Sequence, residues 1–128
     1  MIPRNLIRTV PTVTSLQVEQ WWTWTTEIHQ DWNHITFRDP IDRSLFPLSS
    51  PYWDLCRSGA QMAGLIRLEA VYNLGGVYVD SDFQAYRSFG PLLGLRAFAA
   101  YEDQWVVPDA VFGAEKGHPA ILECLEVA

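Results

Sequence analysis

Two cysteines in 128 residues, Cys56 and Cys124, are too few for a disulfide framework and have no metal-ligand spacing. Both read as reduced, partly buried small hydrophobes. Positive charge is scarce as well: nine Lys plus Arg stand against fifteen Asp plus Glu, a formal charge of −6. Such a surface repels phosphate backbones, which argues against broad nucleic-acid binding. It leaves room for one anionic ligand, because a metal or a local Arg can invert the field inside a cleft. Lysine is almost missing, since eight of the nine basic residues are Arg, a pattern we read as codon bias rather than function. No run approaches the roughly 18 apolar residues that a membrane span needs. Met1 to Pro11, with two Arg and no long apolar run, does not read as a signal peptide. A soluble, cytoplasmic protein with no membrane span is expected.

What is present is globular composition, 48% hydrophobic and 19% charged. The length suits a single domain over residues 1–128 that needs no staple to fold. Ile2 to Val10 alternates as a first strand. Thr14 and Gln17 form a capping-box signal for a helix reaching about His29, with Val18, Trp21, Trp22, Thr25 and Ile28 at helical spacing. His34 to Arg38 reads as a second strand, and the proline-rich Asp39 to Pro51 as a long loop. Ser50-Pro51 opens a short helix. A longer one runs from about Gly59 to Asn73 and ends at Gly75 in a left-handed cap. Val77 to Val79 is a short strand. Pro91 to Leu95 reads as one helical turn, Ala97 to Tyr101 and Ala110 to Ala114 as strands, and His118-Pro119 as the start of a last helix. Strands alternating with helices predict an α/β fold with a mostly parallel sheet.

The chemistry concentrates between Gly64 and Phe83. There Arg67 lies on a helix, Gly75-Gly76 ends it, and Tyr78 precedes Asp80-Ser81-Asp82 at the end of a strand. Open α/β sheets hold ligands beyond the carboxyl ends of their strands. Side chains two apart in an extended segment share a face, which would aim both carboxylates into one space. Paired carboxylates suit Mg²⁺ or Mn²⁺, leaving coordination sites for substrate phosphates. Gly76 would allow close backbone approach to a ligand. An Asp-x-Asp pair alone is weak in a chain with eight Asp; the weight lies in its company.

That compound pattern resembles the glycosyltransferase family whose sugar-binding region carries a DXD motif. Its members include fungal α-mannosyltransferases, bacterial polysaccharide enzymes and, more distantly, clostridial glucosylating toxins. Arg67, Tyr72, Gly75, Gly76, Tyr78, Asp80 and Asp82 match its central block. Ile2-Pro3-Arg4 resembles its opening strand, and Gly117-His118-Pro119 a later turn. The resemblance implies the Rossmann-like A-type glycosyltransferase fold and metal-dependent transfer, with retention, from a nucleotide-diphosphate-sugar. It implies a UDP- or GDP-sugar donor, an acceptor that is a glycan, lipid or protein, and Mn²⁺ or Mg²⁺ as cofactor. By that resemblance Asp82 ligates the metal directly. Asp80 contacts ribose and metal, and Arg67 reaches the donor sugar or its phosphate; these three form the catalytic set. Gly76, Tyr78, Asp109 and Val10 join the donor site, Val10 standing where the family often has an aromatic beside the base.

Gly64 replaces an Asp that in the family precedes the Arg by three. Family domains also continue beyond the last helix, so the chain is expected to be a minimal form or a fragment, incomplete at the C-terminus. A non-catalytic nucleotide-sugar-binding or scaffold domain is the competing expectation. A nucleotidyltransferase is disfavoured, because Gly76 precedes Asp80 by only four residues. Trp21, Trp22 and Trp24 could stack on a sugar but read first as packing residues. His29, His34 and His118 read as structural, and Glu102-Asp103 as cleft-facing or solvated.

Overall fold

The structure is a computed structural model that describes residues 1–99 and 111–127. Its first strand, β1 (Asn5–Val10), shows how the layers arise. Leu6 and Ile7 are both fully buried, but each belongs to a different core. Alternation across the strand sends Leu6 towards Trp22, Val77 and Val79, and Ile7 towards Ile66, Val71 and Tyr78. A sheet buried on both faces must be covered on both.

One cover is α1 (Leu16–Ile28) and the other is α2 (Gly59–Leu74) with α3 (Pro119–Val127). The sheet itself is completed by β2 (Asn33–Arg38), β3 (Gly76–Val79), β4 (Ala97–Ala99) and β5 (Val111–Ala114), in the order β2-β1-β3-β5-β4. β2 and β3 both pair with β1 in parallel. β5 pairs antiparallel to β3, and β4 antiparallel to β5. Four of the five strands therefore point one way and β5 is reversed, so the sheet is mostly parallel as expected.

Several local expectations shift. β1 begins at Asn5 rather than Ile2, which is buried and donates its N–H to the Leu93 carbonyl at 2.8 Å. The cap of α1 is Ser15, whose hydroxyl accepts from Val18 N–H at 3.1 Å; Thr14 instead donates to Glu19 at 2.7 Å. The long loop contains a 3-10 turn at Arg43–Leu45, and the short helix expected from Ser50 is present as a 3-10 helix over Ser50–Leu55. Cys56 is half-buried, while Cys124 is exposed.

The loop is held by a residue that no sequence motif marks. Glu69, fully buried on α2, accepts from the backbone N–H groups of Leu48 at 2.9 Å and Ser49 at 2.8 Å. Buried polar groups need such partners, and here one carboxylate satisfies two of them.

Candidate active site

The parallel strands β1 and β2 end level with each other at Val10 and Arg38, and β3 ends at Val79, two residues short of Val10 in register. α2 runs back along β3, so distance along the helix matches distance along the strand. The seven residues from Arg67 to Leu74 rise about 10 Å, and the four from Gly76 to Asp80 about 13 Å. Arg67 is thereby brought to the carboxyl end of β3. Its guanidinium lies over the Tyr78 ring, 4.9 Å from the centroid, and its Nη1 is 3.0 Å from Asp80 Oδ1. Arg67 does not pair with Glu69, whose carboxylate faces the loop.

The Tyr78 hydroxyl donates to the same Asp80 oxygen at 3.1 Å. On its other side it meets the Thr9 hydroxyl, also at 3.1 Å. Tyr78 has one proton, and that proton goes to Asp80, so Thr9 is the donor to Tyr78. Burial pushes the Tyr78 phenol up to about 12, keeping it protonated and able to donate. Thr9 was missed from the sequence; its only signal was its place two residues beyond Ile7, the partner of Tyr78, on the same face of β1.

Asp80 and Asp82 do not sit in extended chain. β3 stops at Val79, and Phe83 N–H donates to the Asp80 carbonyl at 3.0 Å, closing a turn over Asp80–Phe83. The strand-alternation argument for their shared direction therefore fails. Asp80 turns into the Arg67–Tyr78 network, whereas Asp82 is exposed and makes no hydrogen bond or ion pair among the described residues. Among those residues no group of three or more His, Cys, Asp or Glu could hold a metal. Asp80 and Asp82 are carboxylates that follow the end of β3, the first tied to Arg67 and Tyr78 and the second exposed.

Gly76 does not serve this edge. It begins β3 at the opposite end, and a Cβ there would collide with the carbonyl and Cβ of Asn5. The close approach it permits is to β1 of its own chain rather than to a ligand. Gly75, at φ 68°, is constrained in the same way, since a Cβ would meet Lys116 N at 2.7 Å and Pro3 at 2.9 Å. Val10 does reach the correct edge, but its side chain is buried and its carbonyl accepts from Asp39 N–H at 3.1 Å. Exposed contacts there fall to Pro11 and Thr12. Asp109, with Glu102-Asp103, lies outside the described residues.

The histidines are structural. His29 is fully buried, with Nδ1 2.7 Å from the Thr25 carbonyl and Nε2 accepting from Phe89 N–H at 3.0 Å. His118 Nδ1 accepts from Ala120 N–H at 3.1 Å, capping α3. Arg8, also buried, pairs with Glu19 at 3.0 Å and lies 4.5 Å over Trp22. The Thr14 hydroxyl, then Arg8, hold the Glu19 carboxyl below its usual range.

Comparison with known proteins agrees with this architecture. The chain is 26% identical over 101 residues to inositol phosphoceramide mannosyltransferase 3 of Schizosaccharomyces pombe, covering 76% of this chain and 28% of that protein. It is 27% identical over 104 residues to mannosyl phosphorylinositol ceramide synthase CSH1 of Saccharomyces cerevisiae, covering 78% of this chain and 28% of that one. The PaToxG glycosyltransferase superposes with a TM-score of 0.77 over 98% of this chain and 59% of its own, at 17% identity. The resemblance to glycosyltransferases holds. No family model matches the chain. The chain spans about 28% of the length of the two yeast relatives. Its Arg67, Tyr78 and Asp80 occupy the carboxyl edge of a glycosyltransferase fold, where α/β sheets bind ligands.

Proposed function

We propose that this chain forms the donor-binding part of a glycosyltransferase that moves a sugar from a nucleoside-diphosphate-sugar to an acceptor. The observation that carries the reading is the convergence of Arg67, Tyr78 and Asp80 at the carboxyl end of β3, with Asp82 two residues further along the chain. Arg67 is a permanent cation suited to a phosphate or to sugar hydroxyls. Asp80, oriented by two donors, is held for a ribose hydroxyl or a cation. Asp82 would supply the exposed carboxylate ligand. A bound Mn²⁺ or Mg²⁺ would stabilise charge on the departing diphosphate. Asp80 and Asp82 would hold it, and Arg67 and Tyr78 would fix the orientation of Asp80. Retention of anomeric configuration is part of the proposal through the resemblance alone. The scaffold alternative has no observation of its own behind it.

Thermal-shift titration with UDP-, GDP- and other nucleotide-sugars, with Mn²⁺, Mg²⁺ or EDTA, tests the reading. Metal-dependent stabilisation by one nucleotide-sugar, abolished by EDTA and weakened in Asp82→Asn, is expected. Indifference to every nucleotide-sugar and metal would overturn it.

A further inference from the structure

The outward face of α1 carries a second cleft, of different chemistry. Gln17, Gln20, Trp21, Trp24 and Glu27 recur along it at helical spacing, and Gln84 closes it from the segment that follows the acid pair. The cleft holds about 520 Å³, within the roughly 300–1,000 Å³ range of small-ligand sites. Packing needs explain Trp22, Thr25 and His29, which turn towards the sheet. They do not explain Trp24, which is 53% exposed. Gln17, Gln20, Trp24 and Gln84 make no side-chain hydrogen bond among the described residues, so their donors and acceptors face the cleft or solvent.

The charge of the cleft narrows the ligand. Glu19 and Glu27 line it and no Lys, Arg or His does. Glu19 is ion-paired with Arg8 at 3.0 Å and Arg38 at 3.4 Å, so Glu27 carries the uncompensated charge of the lining among the described residues, and no cation lines the cleft to hold a diphosphate or an anionic headgroup. Indole faces beside amides and carboxylates suit a molecule with apolar C–H faces and a rim of uncharged hydroxyls. We propose that this cleft is a subsite for a neutral carbohydrate, a sugar unit of the acceptor.

The fold places it beside the donor edge. Ala85 N–H donates to the buried Thr25 hydroxyl at 3.1 Å, pinning the segment that leaves Asp82 onto α1. Gln84 therefore stands two residues from Asp82 and inside the cleft wall. The acceptor role rests on the transferase reading above; saccharide binding itself does not.

The test is titration of the whole chain with methyl α-mannoside, mannobiose, cellobiose and lactose, followed by the tryptophan indole N–H resonances. It is run with and without Mn²⁺ and a nucleoside diphosphate. At least one saccharide should move the Trp21 and Trp24 signals. Trp24→Ala with Gln20→Ala should weaken that binding about tenfold. Tyr52→Ala, an exposed aromatic elsewhere, should leave it unchanged. No movement with any saccharide well above millimolar concentration would overturn the proposal. So would Trp24-dependent binding of an apolar dye in place of sugars, which would mark an apolar docking face. Loss of nucleotide binding with saccharide binding intact would sink the donor-site reading instead.

Discussion

Tyr78 and Asp80 are joined by a hydrogen bond of 3.1 Å that runs from a phenol to a carboxylate. The phenol is locked in its protonated form by burial, and the carboxylate oxygen that accepts its hydrogen bond also meets Arg67 at 3.0 Å. One side of the Asp80 carboxylate is therefore fixed from the protein before any ligand arrives. Preorganisation of this kind lowers the ordering cost of binding. It also separates Asp80 from Asp82, so the two acids should respond differently to mutation.

Tyr78→Phe tests the orienting bond. The ring would remain under Arg67 and against Phe112, while the hydroxyl links to Thr9 and Asp80 would go. A cost of about 1 kcal/mol, or about 4 °C in Tm, is expected. Nucleotide-sugar affinity should fall several-fold with the metal requirement retained. Calorimetric titration beside a melting curve would check this, and an unaltered affinity would show that Asp80 needs no orientation.

The acid pair gives an asymmetric result. Asp82→Asn should leave stability within about 0.5 kcal/mol of the parent, because Asp82 is exposed. The same change should weaken Mn²⁺-dependent nucleotide binding about tenfold or more. Asp80→Asn should lower both Tm and binding, since it weakens the carboxylate facing an Arg67 side chain only 14% exposed. Matched melting and binding losses in both variants would refute the division of labour.

Much of this was legible in the sequence, for physical reasons that differ by residue. Gly75 and Gly76 stood out because a helix turning straight into a central strand leaves no room for a Cβ. Gly75 caps the helix at positive φ as read, whereas the purpose of Gly76 was misread: the crowding there comes from Asn5, distant in sequence, and not from a ligand. Arg67, Tyr78 and Asp80 were found together because they lie within one helix–turn–strand unit. Thr9 and Glu69 were not, since each acts on a partner about twenty or more residues away. The turn at Asp80–Phe83 overrode the period-two expectation, because a strand of four residues had already ended.

Glu69 carries a structural prediction. Glu69→Ala would leave the N–H groups of Leu48 and Ser49 without their acceptor. A loss of about 2–3 kcal/mol is expected in urea denaturation. Glu69→Gln keeps one acceptor oxygen and should cost less. Equal costs for the two would indicate lost packing rather than lost hydrogen bonds.

His29 should make the fold acid-sensitive in a window of its own. Burial is the main cause that lowers its affinity for a proton, against a reference value of 6.5. The fold holds the neutral ring, with Nδ1 bonded to Thr25 and Nε2 accepting from Phe89, and protonation would destroy that acceptor. A group whose folded value is depressed binds more protons when unfolded, so its contribution is complete above about pH 6.5 and shrinks as pH falls. Glu19 and Glu115, also lowered, act from a reference value of 4.5, so their contributions are lost at lower pH. Between about pH 7 and 5, then, stability should decline chiefly through His29. The urea midpoint should drop across that interval. In His29→Gln it should start lower, because the buried site fits imidazole between Trp32 and Phe89, but stay nearly flat. A variant that kept the full pH-dependent drop would assign it to another group and overturn the prediction.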